Sequence, residues 1–190
     1  MGRCSRRACA QAASTQAGGQ AEAGVSIAAY VALGGNLGEP QRQVVDAMDA
    51  LARLSSTRLL RRSRLYRTPP WGVLEQPPFV NAAVLLQTAL EPHALLDALL
   101  AIEQRAGRVR AELNGPRTLD LDLLHMDGVQ LADARLTLPH PRIGERAFVL
   151  LPLADLAPDL VLPGQGCVAD LLAAADKRGC ECLGEARLAE

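Results

Sequence analysis

Gly115-Pro116-Arg117-Thr118-Leu119-Asp120-Leu121-Asp122-Leu123-Leu124 sets two carboxylates two residues apart inside an apolar run. Successive side chains of a strand point to opposite faces. Asp120 and Asp122 therefore share one face, roughly 7 Å apart at Cα, while Leu119, Leu121 and Leu123 take the other. Two acids this close repel one another unless a cation neutralises them. Carboxylate oxygens are hard ligands suited to Mg²⁺, which takes one or two of them and fills its other positions with water and substrate phosphates. The expected substrate is a phosphate ester. An edge strand with two exposed acids would carry the same Asp-x-Asp pattern, so the weight falls on what surrounds it.

Arg108, Arg110 and Arg117 lie on the loop that leads into this strand, and Pro116 stiffens its last turn. Loop arginines are usually just solvated, but beside paired acids their charge and reach fit a polyphosphate. In phosphoryl transfer the protein mostly positions groups and neutralises charge, with Mg²⁺ and Arg or Lys on the phosphate oxygens. Lys177 is the only lysine among 20 basic residues. A GC-rich coding bias accounts for that excess overall, and the functional reading is kept for the arginines flanking the aspartates.

The chain has 190 residues, 49% of them hydrophobic and only 3% aromatic, which suits one well-buried domain with an aliphatic core. A net charge of −1 gives no global attraction to nucleic acid or an anionic membrane. Cys4, Cys9, Cys167, Cys180 and Cys182 have no zinc-site spacing and read as reduced thiols of a cytoplasmic protein. No apolar run is long enough for a membrane span. Residues 1–24, with Arg3, Arg6 and Arg7 and no acid before Glu22, read as a disordered extension. A transit peptide shares that composition, and an overlong start or a dispensable extension fits at least as well. Residues 25–177 read as a single domain, of a length that fits an enzyme standing alone, and 178–190 as a C-terminal tail.

From Val25 the hydrophobic period alternates between two and about 3.6 residues. Ile27 to Leu33 reads as a strand ending in the turn cluster Gly34-Gly35-Asn36-Leu37-Gly38. Pro40 opens a helix with Val44, Val45, Met48, Leu51 and Leu54 on one face. Arg58 to Thr68 reads as a second strand and Phe79 to Leu90 as a third, joined by a proline-rich loop too long for a tight hairpin. Glu91-Pro92 opens a second helix that Gly107 closes, before the aspartate strand from Leu119 to Met126. Asp127-Gly128 marks a turn, Glu145 to Leu156 a third helix interrupted by Pro152, and Val168 to Ala175 further cover. The order βαββαβ, with a C-terminal addition, predicts an α+β sandwich with a mostly antiparallel sheet.

Other polar residues admit two readings each. His140, between Pro139 and Pro141, fits a phosphate donor or a packed loop residue. Arg146 and Phe148 suit a flat ligand bearing phosphate, or simple packing. Asn81, inside Phe79-Val80-Asn81-Ala82-Ala83-Val84, needs partners for a buried amide, and a heterocycle with donors and acceptors would supply them as well as backbone could.

Read in order, Ala32 to Gly38, Leu65-Tyr66-Arg67-Thr68-Pro69-Pro70, Phe79 to Ala82, Gly107-Arg108-Val109-Arg110, Gly115 to Asp122 and Leu138 to Arg142 resemble the 6-hydroxymethyl-7,8-dihydropterin pyrophosphokinase family over roughly residues 27 to 165. The resemblance implies a ferredoxin-like βαββαβ core in a three-layer α/β/α sandwich, acting as a monomer on small molecules rather than on nucleic acid or membranes. It implies transfer of pyrophosphate from ATP to the hydroxymethyl oxygen of the reduced pterin, with release of AMP, in folate biosynthesis. Asp120 and Asp122 would hold two Mg²⁺ ions. Arg108, Arg110, Arg117, His140 and Arg146 would meet the nucleotide, with Leu123 and Thr137 where the adenine lies, and Arg108 and Arg110 share the catalytic role of the aspartates. Thr68, Pro69, Trp71, Phe79, Asn81 and Phe148 match the pterin positions.

The chain departs from the family at Gly35, where Ser is usual, and at Leu113 and Asn114, which replace a basic residue and a stacking Trp. Turnover or pterin affinity is therefore expected to be weaker than in Trp-bearing relatives. Asn114→Trp should improve pterin binding in a titration; a normal affinity that the substitution leaves unimproved would remove the expectation.

Overall fold

The computed structural model describes residues 25–73, 75–108 and 115–186. The expectations for residues 1–24, for Arg110 and for the loop at Leu113 and Asn114 lie outside the described residues. The elements in chain order are β1 (Ile27–Gly35), α1 (Pro40–Ala52), β2 (Thr57–Arg62), β3 (Leu65–Thr68), β4 (Phe79–Thr88), α2 (Pro92–Arg105) and β5 (Asp120–Met126). There follow β6 (Leu131–Ala132), β7 (Thr137–Leu138), α3 (Ala147–Leu156), β8 (Val161–Leu162), β9 (Gly166–Cys167), α4 (Val168–Ala174) and β10 (Glu181–Gly184). The fold is α+β, and the main six-stranded sheet runs β10-β3-β4-β1-β5 with β2 also on β4, every pairing antiparallel.

The sheet is two-faced because its strands alternate. Ala29, Val31 and Leu33 of β1 join Leu121 and Leu123 of β5 in a core with Val44, Met48 and Leu51 of α1 and Leu95, Leu99 and Ile102 of α2. A second cluster gathers Tyr30 and Leu124 with Val149, Leu150 and Leu153 of α3 and Val168 of α4. Proline opens both α1 and α2, where its missing N–H removes no helical bond. Gly107, at φ +76°, follows α2 in the left-handed region that favours glycine.

Three boundaries differ from the periodicity. The strand read as continuous from Arg58 to Thr68 is two strands, because Ser63 takes over the ladder. Its backbone N–H donates to Ala83 O at 2.9 Å, its hydroxyl accepts from Ala83 N at 2.8 Å and donates to Arg64 O at 2.7 Å. The third helix begins at Ala147 and continues through Pro152. In the segment 178–190, residues Glu181–Gly184 form β10 and pair with β3, so the sheet extends past residue 177. No helix among the described residues is long and apolar enough to cross a membrane.

Asp155, near the end of α3, fastens that helix to the start of β3. Its carboxylate accepts from Arg64 N at 3.1 Å, Arg64 Nη2 at 2.5 Å and Tyr66 Oη at 2.9 Å. Arg61 donates to the last-turn carbonyls of Asp155 at 2.9 Å and Leu156 at 2.5 Å. Desolvation would raise the Asp155 carboxyl, but the bonds from Arg64 and Tyr66 outweigh it and hold the group below the usual carboxylate range. A carboxyl depressed in the folded state stabilises above its unfolded value and loses that contribution as pH falls through the folded one. Asp155→Asn should cost about 2 kcal/mol at neutral pH, measured by urea unfolding. The gap to wild type should close as pH falls below about 4; a gap that persists under acid conditions would refute the charge-based account.

Candidate active site

The aspartate strand places its acids as alternation requires. Asp120 stands opposite Gly34 and Asp122 opposite Ala32, on the face away from the α1 and α2 core. They line a cavity of about 220 Å³ with Arg108, Arg117, His140 and Arg146. Thr68, Pro69, Trp71, Phe79, Asn81 and Phe148 line the same cavity. Twelve residues proposed from the sequence for metal, nucleotide and acceptor thus meet in one place. Leu123 and Thr137 are not among its lining residues: the Leu123 side chain is buried in the α1 and α2 core, and Thr137 is exposed on β7.

Ion pairs hold the charged half. Arg108 Nη1 lies 2.6 Å from Asp120 Oδ1, Arg117 Nη1 pairs with Asp120 Oδ2, and Arg146 Nη1 is 3.8 Å from Asp122 Oδ2. Arg117 Nε and Arg146 Nε are buried without a hydrogen-bond partner, so both guanidinium groups keep unspent donors. The Asp122 carboxyl is pushed up to about 6 by desolvation and by the charge of Asp120, against the pull of Arg146 and Arg117. His140 is pushed down to about 4 by desolvation and by Arg146 and Arg142, which keeps it neutral at physiological pH. Its Nδ1 accepts the Arg142 backbone N–H at 3.2 Å, leaving the ring proton on Nε2.

The other half is flat and mostly uncharged. Phe79 and Phe148 supply rings from β4 and α3, each with a guanidinium over it, Arg117 at 5.5 Å and Arg146 at 5.6 Å from the centroids. Asn81 is 7% exposed and Thr68 2%, and the Asn81 amide donates to the Thr68 hydroxyl at 2.8 Å. Gly34 faces Asn81 across the β1–β4 pairing, where a Cβ would come within 2.6 Å of Asn81 Oδ1. The absence of a side chain at Gly34 makes room for the amide.

Two residues in the supporting structure escaped the sequence reading. Asn36, 5% exposed, accepts Arg117 N at 2.9 Å and donates to Pro77 O at 3.0 Å and Gln76 Oε1 at 3.1 Å, tying the arginine loop to the proline-rich one. At Gly35 a Cβ would overlap the Thr118 carbonyl oxygen, so this close approach suits glycine. Glu103, 2% exposed, accepts Leu121 N at 2.7 Å and pairs with Arg108, joining α2 to β5. Its signal in the sequence was an acid on the apolar face of a helix.

Carboxylates facing guanidinium groups across a cavity with two aromatic walls define an α+β protein whose one cavity joins a strongly charged half to a flat, mostly uncharged one. The model of the family described as 7,8-dihydro-6-hydroxymethylpterin-pyrophosphokinase matches residues 30–158. The chain belongs to this family. It is 54% identical over 155 residues to the Pseudomonas aeruginosa 2-amino-4-hydroxy-6-hydroxymethyldihydropteridine pyrophosphokinase, covering 81% of this chain and 95% of that protein. To the protein of the same name from Methylorubrum extorquens it is 48% identical over 153 residues, covering 80% and 96%. A crystal structure of a single-substitution variant of Plasmodium falciparum HPPK-DHPS with pteroate superposes with a TM-score of 0.62 at 14% identity. That match covers 80% of this chain and 44% of the Plasmodium chain, and shows likeness of fold.

Removing the Glu103 carboxylate leaves Arg108 and the Leu121 N–H without it in a buried place. Glu103→Ala is expected to lower unfolding stability by about 3 kcal/mol, read from a urea midpoint; an unchanged midpoint would show that the link carries no load.

Proposed function

We propose that this chain transfers pyrophosphate from ATP to the hydroxymethyl oxygen of 6-hydroxymethyl-7,8-dihydropterin, releasing AMP, in folate synthesis. The observation that carries this reading is one cavity with two chemically distinct halves, Asp120, Asp122 and the arginines on one side and Asn81, Phe79 and Phe148 on the other. Membership of the pyrophosphokinase family supports it independently. The fold is read as a ferredoxin-like βαββαβ core in a three-layer α/β/α sandwich, supported by the separate helix-bearing clusters on the two sheet faces.

The donor set fits Mg²⁺. Asp120 and Asp122 offer hard carboxylate oxygens, and the Asp122 carboxyl is raised first by desolvation and then by the like charge of Asp120, a repulsion that a cation would relieve. These two residues are proposed to hold two ions, which when bound would neutralise polyphosphate charge and ease ionisation of the attacking hydroxyl. Arg108, Arg117 and Arg146 supply donors to phosphate oxygens, and neutral His140 donates from Nε2. Arg110 is proposed to join them. Leu123 and Thr137 belong to β5 and β7, beside the sheet edge, where the adenine is proposed to lie.

On the acceptor side, Phe79 and Phe148 would flank the pterin ring, while Asn81 and Thr68 meet its polar edge and Pro69 and Trp71 complete the wall. Holding the hydroxymethyl oxygen in line with the β-phosphorus supplies the proximity term, and the arginines stabilise charge that develops between them. Catalysis by alignment and charge neutralisation follows from this arrangement.

Chromatography of nucleotide products tests the reading, with ATP, Mg²⁺ and 6-hydroxymethyl-7,8-dihydropterin and an EDTA control. AMP that depends on both pterin and Mg²⁺ is expected, whereas ADP would mean single-phosphoryl transfer and another kinase. Asp120→Ala and Asp122→Ala should each abolish turnover while the chain stays folded, and wild-type activity in either would sink the metal assignment.

A further inference from the structure

The mouth of the cavity holds a contact that pyrophosphoryl transfer itself does not require. Trp71, the chain's only tryptophan, is 37% exposed and carries the Arg142 guanidinium 4.4 Å from its ring centroid. Arg146 lies 5.5 Å from the same ring and 5.6 Å from Phe148. Arg142, Trp71, Arg146 and Phe148 thus alternate cation and aromatic from the mouth inward. A guanidinium over an indole is a favourable cation–π pair.

The two arginines are placed differently. Arg146 lines the cavity and has the Asp122 carboxylate 3.8 Å away, so its contact with Trp71 competes with anions inside. Arg142 is not among the lining residues and stands over the ring from outside the cavity. Its Nε is engaged by Glu145 Oε2 at 3.2 Å, which tethers the guanidinium while it stands over the indole. Its backbone N–H, bonded to His140 Nδ1, anchors the same residue to the phosphate side of the site.

We propose that Arg142 is a positioning residue that holds Trp71 as the outer wall of the acceptor slot. It acts through Trp71 and does not touch the acceptor. The inference rests on the pterin reading above and adds a residue that sets acceptor affinity separately from nucleotide affinity.

Calorimetric titration of the full chain with 6-hydroxymethyl-7,8-dihydropterin, in Mg²⁺ and a non-transferable α,β-methylene analogue of ATP, tests it. Loss of a cation–π contact of this kind predicts about fivefold weaker acceptor binding in Arg142→Ala. The analogue's own Kd should stay at its wild-type value, and Arg142→Lys should recover most of the affinity. Trp71→Leu should weaken acceptor binding, and adding Arg142→Ala to it should cost nothing more, since both remove one contact. Iodide quenching of the single tryptophan should increase in unliganded Arg142→Ala. Wild-type acceptor affinity in Arg142→Ala, or additive losses in the double variant, would overturn this inference alone. A wild-type chain that binds the analogue and no pterin would overturn the acceptor reading and this role with it.

Discussion

Two like charges on one face of β5 are the constraint around which this molecule is arranged. Asp120 and Asp122 cannot be buried beside each other without opposite charge. Arg108 and Arg117 meet the first, and Arg146 approaches the second. Arg108 also pairs with buried Glu103, whose carboxylate binds the β5 backbone at Leu121. Three carboxylates therefore face three guanidinium groups. Desolvation offsets much of the attraction in partly buried pairs, so this network is weak evidence for fold stability. Its consequence is placement, since it holds cationic and anionic groups close to one another before any ligand arrives.

The same strand ties this charge pattern to the core. Leu119, Leu121 and Leu123 enter the hydrophobic cluster under α1 and α2 because Asp120 and Asp122 leave by the other face. A slip of one residue would bury the acids and expose the leucines, so the register that builds the core also aims the carboxylates. Gly34 and Gly35 continue this logic at the end of β1. The first admits the Asn81 amide from one neighbouring strand, and the second admits the Thr118 carbonyl before the other.

What was legible in the sequence was local. The Asp pair and the helix starts at Pro40 and Pro92 follow from spacing within a few residues, and the structure places them accordingly. The break between β2 and β3 was not legible, because a serine hydroxyl replacing a ladder contact leaves the hydrophobic period unchanged. In the sequence Asn36 is only part of a turn, since its partners at Gln76, Pro77 and Arg117 are distant in the chain. Arg142 escaped for the same reason: its aromatic partner, Trp71, lies in another loop. Leu123 and Thr137 came from family likeness, and cavity geometry alone does not bring them to its wall.

The two halves of the cavity are braced by different parts of the chain. The charged half depends on α2 through Glu103 and on the end of β1 through Asn36. The flat half depends on β3, which carries Thr68 and leads to Pro69. Asp155 fixes the start of that strand from α3, β10 pairs along its length, and Gly179 runs against the Pro69 ring. Segments that follow the aspartate strand in sequence thus set the shape of a wall built much earlier in the chain. A perturbation in β10 therefore reaches the Thr68 and Asn81 side of the cavity through backbone pairing and one in α3 through the Asp155 carboxylate, whereas one in α2 reaches the carboxylates through Glu103 and the β5 leucines packed against that helix.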